Sequence, residues 1–483
     1  MATTTTPPAD KKRILINGFD MFTPSHLSFG QWKRPEDKSK TKQSDLSYWT
    51  DLAKLLEKGD VTALFIADTY AQHDVYKGED ATAFSTRVAC QYPVGDPIVP
   101  VSAMAAVTKR LGFAITNSTS YEAPFLLAKR MSTIDHLSRG RFGWNIVTSY
   151  KESAAKAIGV PLVEHDKRYE IADEYLEILY KVWEGSWADD ALKLDVDNDI
   201  FTDPDRVRVI RHKSANFSIE TRHILDPSPQ RTPFLFQAGS SKVGMEFAAR
   251  HAEATFMNAW SAELLAERVA HLRSLAASYG RDPQSIKVFA SVTPIIGRTD
   301  EEAHEKYQRA LQFANEEAGL AFYSSNAGID LSKHDLDTPI RADDVTVDGR
   351  LHSLIDGLRY RGGDTIPEWT PRHIGKATAI GSGGPVPIGS PSTVADILEK
   401  WMDIADLDGF NVGAVISPGS FEDLVELLIP ELRRRGRYPA AVDPEDPNEP
   451  ITLRERVYGA GQSRLRDDHI GSKWKYDQWE PEV

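Results

Sequence analysis

Short β-forming segments alternate with longer segments of helical periodicity along almost the whole chain. The candidate strands are rich in Val, Ile, Phe and Ala, and each is followed, sooner or later, by apolar residues that recur at three- and four-residue steps. These strands are Ile14–Phe19, Ala63–Asp68, Leu111–Ser118, Phe142–Val147, Phe234–Ala238, Ala254–Asn258, Lys287–Ile296 and Gly409–Ser417. Eight strands are the number that closes a parallel barrel. The pattern therefore predicts an α/β chain with a (β/α)8 TIM barrel and insertions.

Two helical segments carry the apolar stripe that the outer layer of a barrel needs. In Arg168–Trp183 the apolar residues recur at three- and four-residue steps, which aligns them on one face of a helix. The segment Phe421–Arg435 repeats the pattern with leucines, although Pro430 is expected to bend or break the helix. Both segments predict helices that lie against the strands.

The chain is expected to hold one barrel domain with additions at both ends. Residues 1–12 are rich in Thr and Pro and predict a disordered tail, whereas residues 13–440 form the barrel. Insertions are expected near 185–232 and 319–390, because long connections in a compact domain are usually lids or binding loops. The Gly-rich run Gly381–Ser390 lacks the lysine of a P-loop, so we interpret it as a mobile loop. Residues 441–483 are interpreted as a C-terminal extension that packs on the barrel or on a partner subunit.

Composition and missing motifs exclude several classes of function. With 57 basic and 71 acidic residues the net charge is -14, so binding to nucleic acid is not expected. The single cysteine, Cys90, excludes an internal disulfide and a cysteine-based metal site, and the zinc motif H-E-x-x-H is absent. No apolar run has the length of a membrane-spanning helix or the character of a secretion signal. We therefore expect a cytoplasmic protein without a metal.

Polar side chains follow several strands at the end where a barrel of this type places its active site. The strand Phe142–Val147 ends in three hydroxyl groups, and a later helix carries His165 and Tyr169 on one face. A strand end rich in hydroxyl groups, beside a helix start with His and Tyr, is expected to cradle a phosphorylated cofactor. The other strand ends contribute Phe19 with His26 beyond it, Asp68, Thr116, Gly239–Ser241 and Trp260.

The turn Gly239-Ser240-Ser241 is the strongest single anion-binding pattern in the chain. Glycine lets the backbone approach a ligand, and free N–H groups at a helix start favour an anion. The alternative is that Ser241 is a plain helix cap. No G-x-G-x-x-G follows the first strand, so a nicotinamide dinucleotide is not indicated. Electrons for any redox reaction would then come from another protein.

Long motifs in this chain resemble one family of flavin monooxygenases. They match, in order, the bacterial-luciferase-like group that contains nitrilotriacetate, dibenzothiophene-sulfone and long-chain alkane monooxygenases. The likeness to the alkane enzyme includes the INGF start and the DDH of Asp467–His469. The motifs are INGFDM at Ile16–Met21, RMSTIDHLSRGRFGWNIVTS from Arg130, HDKRY at His165–Tyr169, SPQRTPFLFQAGSS ending at Ser241, and DGFNVGAVISPGSFEDLVELLIPEL from Asp408.

The resemblance implies a luciferase-like barrel that binds FMN at the C-terminal ends of its strands. It also implies that a separate NAD(P)H-dependent flavin reductase supplies the FMN in reduced form, and that the chain forms a homodimer or homotetramer. Tyr169 and the two serines would hold the phosphate, whereas Asp68 and Thr116 would lie nearer the isoalloxazine ring. The cofactor-binding residues by motif are Asp68, Thr116, His165, Tyr169, Ser240 and Ser241, with Asn145 and Ser149 as further candidates.

The catalytic candidates lie on the substrate side of the expected site. They are His26, His73, Tyr150 and Phe19, with Trp260 as a second wall residue. His26 or His73 would donate or accept a proton at near-neutral pH. The alkane enzyme has His, Cys and Tyr where this chain has Tyr150, Thr23 and His73. The substrate therefore stays open among alkanes, organosulfur compounds and amines, with the first two favoured.

The working hypothesis is a two-component monooxygenase. Reduced FMN would react with O2 to give a flavin C4a-(hydro)peroxide, one oxygen atom would enter a small organic substrate, and the other would leave as water. Two alternatives remain at this point. One is a non-catalytic flavin-binding barrel protein, and the other is a deazaflavin-dependent oxidoreductase on the same fold.

Overall fold

The predicted strands form a closed parallel barrel, which confirms the (β/α)8 fold expected from the sequence. The computed structural model describes residues 12–239, 241–259, 261–340, 369–441 and 452–481. The strands are β1 (Leu15–Met21), β2 (Ala63–Ala67), β3 (Gly112–Ser118), β4 (Phe142–Val147), β5 (Leu192–Asp195), β6 (Ile200–Thr202), β7 (Ile210–Lys213), β8 (Ser218–Thr221), β9 (Phe234–Gln237), β10 (Ala254–Met257), β11 (Lys287–Val292), β12 (Ile295–Ile296), β13 (Ile388–Gly389) and β14 (Gly409–Gly413).

Helices follow the barrel strands, and most of them cover the outside of the barrel. They are α1 (Leu46–Lys58), α2 (Ala81–Arg87), α3 (Val101–Ala106), α4 (Pro124–Leu137), α5 (Glu152–Ile158), α6 (His165–Tyr180), α7 (Lys242–His251), α8 (Ala262–Ser278), α9 (Asp300–Phe313), α10 (Glu316–Ala327), α11 (Pro371–Ala379), α12 (Pro391–Ala405), α13 (Gly419–Asp423), α14 (Ile429–Arg434) and α15 (Leu453–Tyr458). Over the described ranges, none of them combines the length and the apolar character that crossing a membrane requires.

The barrel strands follow one another around the ring in chain order. The sequence is β1, β2, β3, β4, β9, β10, β11 and β14, with β14 pairing back to β1, and each neighbouring pair is parallel. Every residue of β3 is buried, as expected for a strand covered by helices on one face and by the barrel interior on the other. All eight C-terminal ends therefore meet at one mouth.

The barrel interior is filled by aromatic side chains and by one leucine from the C-terminal segment. Phe65 packs edge-on against Phe256 with ring centroids 4.3 Å apart, and Phe256 stacks on Phe236 at 5.4 Å. The fully buried Leu453 joins this cluster from the N-terminal ends of the strands. A Cβ at Gly112 would lie 2.6 Å from the Leu453 side chain, so this position has room for glycine alone. Any ligand must therefore bind above this apolar floor.

Residues 452–481 pack against the end of the barrel opposite the mouth. The fully buried Arg454 forms an ion pair with Glu253 at 2.8 Å and donates to the carbonyl oxygen of Thr232 at 2.9 Å. Arg456 pairs with Asp60 at 3.1 Å. The segment closes the bottom of the barrel and leaves the mouth open.

Two helices can be compared with the sequence prediction in detail. Helix α6 begins at His165, as the motif HDKRY predicted, because the Glu164 carboxylate caps it by accepting from the first backbone N–H groups. The expected break at Pro430 does not occur. A π-helical turn, Leu424–Leu428, leads directly into α14, whose first turn contains Pro430. The residues before Pro430 are already helical, so the proline lies within a continuous helix, and the π-helical turn next to it is the local irregularity that accompanies its missing N–H.

Both insertions contain regular structure. The first, near 185–232, forms the hairpins β5–β6 and β7–β8. The second contributes α10 and α11, which pack together, and its Gly-rich end is not the free loop that we expected. The N–H groups of Thr293 and Ile295 donate to the carbonyl oxygens of Pro385 and Pro387 at 3.0 and 2.8 Å, and β12 pairs with β13. These bonds hold residues 381–384 at the barrel mouth.

Candidate active site

A pocket of about 430 Å³ opens at the C-terminal ends of the barrel strands. This volume lies within the range of ordinary small-molecule sites, roughly 300–1,000 Å³. Its floor includes Phe65 and Phe256 from the aromatic cluster. Residues 381–384 and α10 form part of its upper wall. The predicted site residues that line it are Phe19, His26, Asp68, Thr116, Asn145 and Tyr150.

Neighbouring strands β3 and β4 present one amide and one hydroxyl group to the pocket. Asn145 and Thr116 lie opposite each other in the parallel register, and Asn145 Nδ2 donates to Thr116 Oγ1 at 2.9 Å. The other end of the amide, Asn145 Oδ1, is buried and accepts no hydrogen bond from the described residues. A buried acceptor without a partner is costly, so a ligand N–H is the natural partner for this oxygen.

Asp68 follows β2 and is the acidic group in the pocket wall. Burial raises the pKa of its carboxyl to about 7. The Thr69 N–H, which donates to it at 2.8 Å, opposes this shift, and the negative charge of Asp96 adds to it. Asp68 can therefore change its protonation state near neutral pH, where a carboxyl in water stays ionised.

A second polar cluster lies between the ends of β4 and β9 and the start of α6 and α7. The Tyr169 hydroxyl lies close to the β9–α7 turn. A Cβ added to Gly239 would be 3.0 Å from the Tyr169 Oη, and a Cβ added to Gly244 would be 2.9 Å from it. Ser241 Oγ, 2.9 Å from the same Gly244 position, accepts from Gly244 N at 3.1 Å and caps α7. Tyr169 Oη and Ser241 Oγ thus converge on a glycine-lined helix start, an arrangement suited to an anion.

Two further members of the predicted cofactor set stand beside this cluster. The His165 ring lies 5.4 Å from the Tyr169 ring, as their four-residue spacing predicted, and its Nδ1 contacts Asp166 Oδ1 at 2.7 Å. Ser149 Oγ donates to Ser118 Oγ at 2.9 Å. Ser240 and Trp260, which the sequence analysis also singled out, lie outside the described residues.

The two candidate histidines are buried and neutral at pH 7. Burial lowers the pKa of His26 to about 3, with Asp20 opposing the shift and Lys42 adding to it. His73 lies behind the pocket wall, where its Nε2 is 3.1 Å from Gln91 Oε1, and burial takes its pKa well below the usual range. Neither ring therefore titrates at near-neutral pH, in contrast to the expectation from unperturbed histidine. Among the pocket residues, Asp68 has a pKa of about 7, so its carboxyl can donate or accept a proton at near-neutral pH.

The structure also brings residues to the pocket that sequence reasoning missed. Gln91 joins both histidines, since its Nε2 donates to the His26 carbonyl oxygen at 2.8 Å while its Oε1 faces His73. Asn326 of α10 accepts from Tyr150 Oη at 2.6 Å and donates to the Phe322 carbonyl oxygen at 3.0 Å. For Asn326, the one signal in the sequence was the length of the second insertion, because insertions of this length are commonly functional lids.

Comparison with known proteins identifies the family. The protein-family model described as luciferase-like monooxygenase matches residues 26–405 of the sequence. The chain belongs to the luciferase-like monooxygenase family. It is 42% identical over 466 residues to the dimethyl-sulfide monooxygenase of Hyphomicrobium sulfonivorans, covering 96% of this chain and 94% of that one. It is likewise 42% identical over 465 residues to the long-chain alkane monooxygenase of Geobacillus thermodenitrificans, covering 96% and 98%.

Solved structures similar to this one superimpose on nearly all of the chain. The crystal structure from Hyphomicrobium sulfonivorans gives a TM-score of 0.88 at 41% identity over 98% of this chain and 99% of that one. A riboflavin lyase with modified FMN and riboflavin gives a TM-score of 0.85 at 35% identity over 96% and 100%. The protein is an enzyme of the monooxygenase type, and its family supports a flavin as the cofactor.

The residues of this luciferase-like monooxygenase fit a flavin. The unpartnered Asn145 Oδ1 matches a ring N–H, and the Tyr169 and Ser241 hydroxyl groups at the start of α7 match a phosphate. Throughout the described residues no cluster of His, Cys, Asp and Glu has the geometry to hold a metal ion.

Proposed function

We propose that this chain is the oxygenase of a two-component system. It would bind FMN that a separate NAD(P)H-dependent flavin reductase has reduced, and use O2 to insert one oxygen atom into a small uncharged organic molecule. The second oxygen atom would leave as water, and the flavin would be released oxidised. One observation carries the proposal: a ring-sized pocket with a buried unpartnered acceptor adjoins a glycine-lined, hydroxyl-bearing helix start.

Each group has a defined task in this proposal. Tyr169, Ser241 and His165, together with Ser240, would hold the phosphate, and Ser149 would support the same end. Thr116 and Asn145 would bind the ring, and Asp68 would give or take a proton beside it near neutral pH. The reduced flavin, when bound, supplies the activation of O2. Phe19 and the aromatic floor would keep water away from the reacting atoms.

The polar side chains on the other side of the pocket already have hydrogen-bond partners within the protein, which favours an uncharged substrate. Both ends of the Gln91 amide and both ends of the Asn326 amide already have partners, and Tyr150 donates to Asn326. The remaining surface there includes Phe19 and Phe322, and the two cations of the pocket lining, Lys151 and Arg268, each donate to a backbone carbonyl oxygen. A wall whose polar atoms are satisfied gains little from a charged ligand and more from apolar contact. Relatives named for dimethyl sulfide and long-chain alkanes agree with this chemistry, so we favour a thioether or an alkane.

The proposed partners are a reductase, O2 and a second copy of the chain. We propose transient contact or diffusion of FMN between the two components, a homodimer or homotetramer, and a cytoplasmic location. The relative named nitrilotriacetate monooxygenase component A supports a system of more than one protein. Size-exclusion chromatography with light scattering, with and without a purified reductase, measures both forms of association.

The decisive experiment follows the oxygen atoms. The protein is mixed with photochemically reduced FMN and ¹⁸O2, with dimethyl sulfide in one arm and a long-chain alkane in the other, and the products are analysed by mass spectrometry. We expect one ¹⁸O atom in the product of the true substrate and none without protein. The outcome that rejects the proposal is the absence of ¹⁸O-labelled product in both arms although FMN is bound.

The ¹⁸O experiment together with a comparison of cofactor affinities separates the two alternatives. A non-catalytic flavin-binding protein would bind oxidised FMN tightly and give no oxygenated product with any substrate. A deazaflavin-dependent enzyme would bind a reduced deazaflavin in preference to reduced FMN. Parallel fluorescence titrations with reduced FMN and with the reduced deazaflavin compare the two affinities, and we expect tighter binding of FMN.

A further inference from the structure

A buried carboxylate, Asp20, faces the imidazole of His26 at the edge of the pocket. Asp20 lies near the end of β1, and His26 follows in the next loop. Their side chains are 3% and 7% exposed, and His26 Nδ1 lies 4.0 Å from Asp20 Oδ1. This distance is beyond a hydrogen bond, so the two groups interact through the charge of the carboxylate and the dipole of the ring.

Three donors hold the Asp20 carboxylate in place. Lys42 Nζ donates to Oδ1 at 2.5 Å, the backbone N–H of Met21 donates to the same oxygen at 2.8 Å, and Tyr48 Oη donates to Oδ2 at 3.0 Å. Lys42 is itself 2% exposed and also donates to the Met21 carbonyl oxygen. Every partner acts as a donor, so the group facing His26 is an acceptor fixed in position.

The His26 side chain is also fixed in position, and one of its two ring nitrogens makes no full hydrogen bond. Its ring stands edge-on to Phe19 with centroids 4.5 Å apart, and its backbone oxygen accepts from Gln91 Nε2 at 2.8 Å. Nδ1, on the Asp20 side, is buried and makes no hydrogen bond of full geometry in the described part of the chain, and the Phe19 carbonyl oxygen is a second acceptor near the ring. His26 is one of the residues that line the pocket, and because Nδ1 is the ring nitrogen buried on the Asp20 side, we place Nε2, across the ring, toward the pocket.

We infer that Asp20 is a positioning residue that keeps the His26 proton on Nδ1 and so leaves Nε2 as a hydrogen-bond acceptor in the pocket. A neutral imidazole carries one N–H, and its environment decides which nitrogen holds it. The positive end of the N–H dipole is favoured toward the carboxylate, while Nε2–H would aim a lone pair at the negative charge. The expected tautomer follows from the geometry around His26, and only its consequence for catalysis rests on the proposed oxygenase function.

The tautomer is measurable without turnover. In the protein with ¹⁵N-labelled histidine, long-range ¹H–¹⁵N spectra distinguish Nδ1–H from Nε2–H, and the spectrum of His26→Asn assigns the signals. We expect Nδ1–H in the wild type and a shift toward Nε2–H in Asp20→Asn, which keeps the shape but removes the charge. Asp37→Asn is the matched control, because Asp37 is also buried and accepts from Ser417 N at 2.8 Å. It should leave the His26 signals unchanged.

Kinetics then test the consequence. Loss of a carboxylate that orients a catalytic histidine costs up to about 10⁴-fold in kcat, and the 4.0 Å gap places Asp20→Asn at about 10- to 100-fold. The Kd for FMN should change less than about 3-fold, and Asp37→Asn should retain kcat. An Nε2–H tautomer in the wild type overturns the inference, even if Asp20→Asn does not fold. An unchanged tautomer in Asp20→Asn, or an equal loss of kcat in Asp37→Asn, does the same. If no substrate is ever oxygenated, the proposed function fails while the tautomer measurement still decides this claim.

Discussion

Replacing Tyr169 with phenylalanine removes one oxygen from the proposed phosphate site and leaves the ring packing in place. The phenol is buried, and its Oη lies against the two glycine positions of the β9–α7 turn, next to Ser241. Burial raises the pKa of Tyr169, against hydrogen bonds with Ser241 and Thr148, so the group is a neutral donor at pH 7. A neutral hydroxyl at this place can donate to a phosphate oxygen.

The size of the effect follows from the charge of the acceptor. A hydrogen bond to a charged group contributes about 1.5–3 kcal/mol, and about 1.4 kcal/mol corresponds to a tenfold change in affinity. Tyr169→Phe should therefore raise the Kd for FMN about 10- to 100-fold. Riboflavin has the same ring system without the phosphate, so its affinity should hardly change.

Anaerobic fluorescence titration measures all four dissociation constants, for wild type and variant with FMN and with riboflavin. Tyr180→Phe is the control on the same helix, because Tyr180 is also buried but its Oη contacts His251 Nδ1 at 3.1 Å, away from the turn. It should leave both affinities intact. If Tyr169→Phe weakens riboflavin as much as FMN, the phenol acts on the ring or on the fold, and our placement of the phosphate is wrong.

Three further predictions concern protonation and stability. Because the pKa of Asp68 is about 7 in the folded protein and about 4 in an unfolded chain, the cofactor-free protein should lose stability as the pH rises from about 4 to 7. Scanning fluorimetry should show a smaller fall in Tm for Asp68→Asn over this window; equal slopes would contradict the pKa. Leu453→Ala should lower the free energy of unfolding by about 2–5 kcal/mol in a urea titration, whereas the exposed Leu311→Ala should change it by less than about 0.5 kcal/mol. Glu253→Gln leaves the buried Arg454 without its counter-charge and should cost about 3–5 kcal/mol in the same assay, and a cost below about 1 kcal/mol would contradict the ion pair.

The strands were predictable because parallel barrel strands are buried on both faces. The segment Leu111–Ser118 reads as a strand in the sequence, and β3 covers Gly112–Ser118. The polar strand ends were predictable for a related reason. Once the barrel is inferred, its topology brings all C-terminal ends to one mouth, and Asp68, Thr116 and Asn145 do line one pocket.

The substrate wall was not predictable from the sequence. Gln91 and Asn326 come from connections outside the strand–helix pattern, and no periodicity marks them. The ion pair of Asp20 with Lys42 joins a strand end to a loop, and nothing in the local sequence indicates that these side chains meet. Their partners are set by the path of the chain in three dimensions.

The amino-acid sequence by itself determined the number and order of the eight barrel strands, the helical character of the segments between them and the polar character of the strand ends, because these depend on local periodicity and on residue type. The tertiary structure alone decided which of these side chains share a pocket and how they are protonated. The pKa of Asp68 near 7 and that of His26 near 3 arise from burial and from charges brought close by the fold. Burial and distance between remote residues are properties that no local pattern encodes.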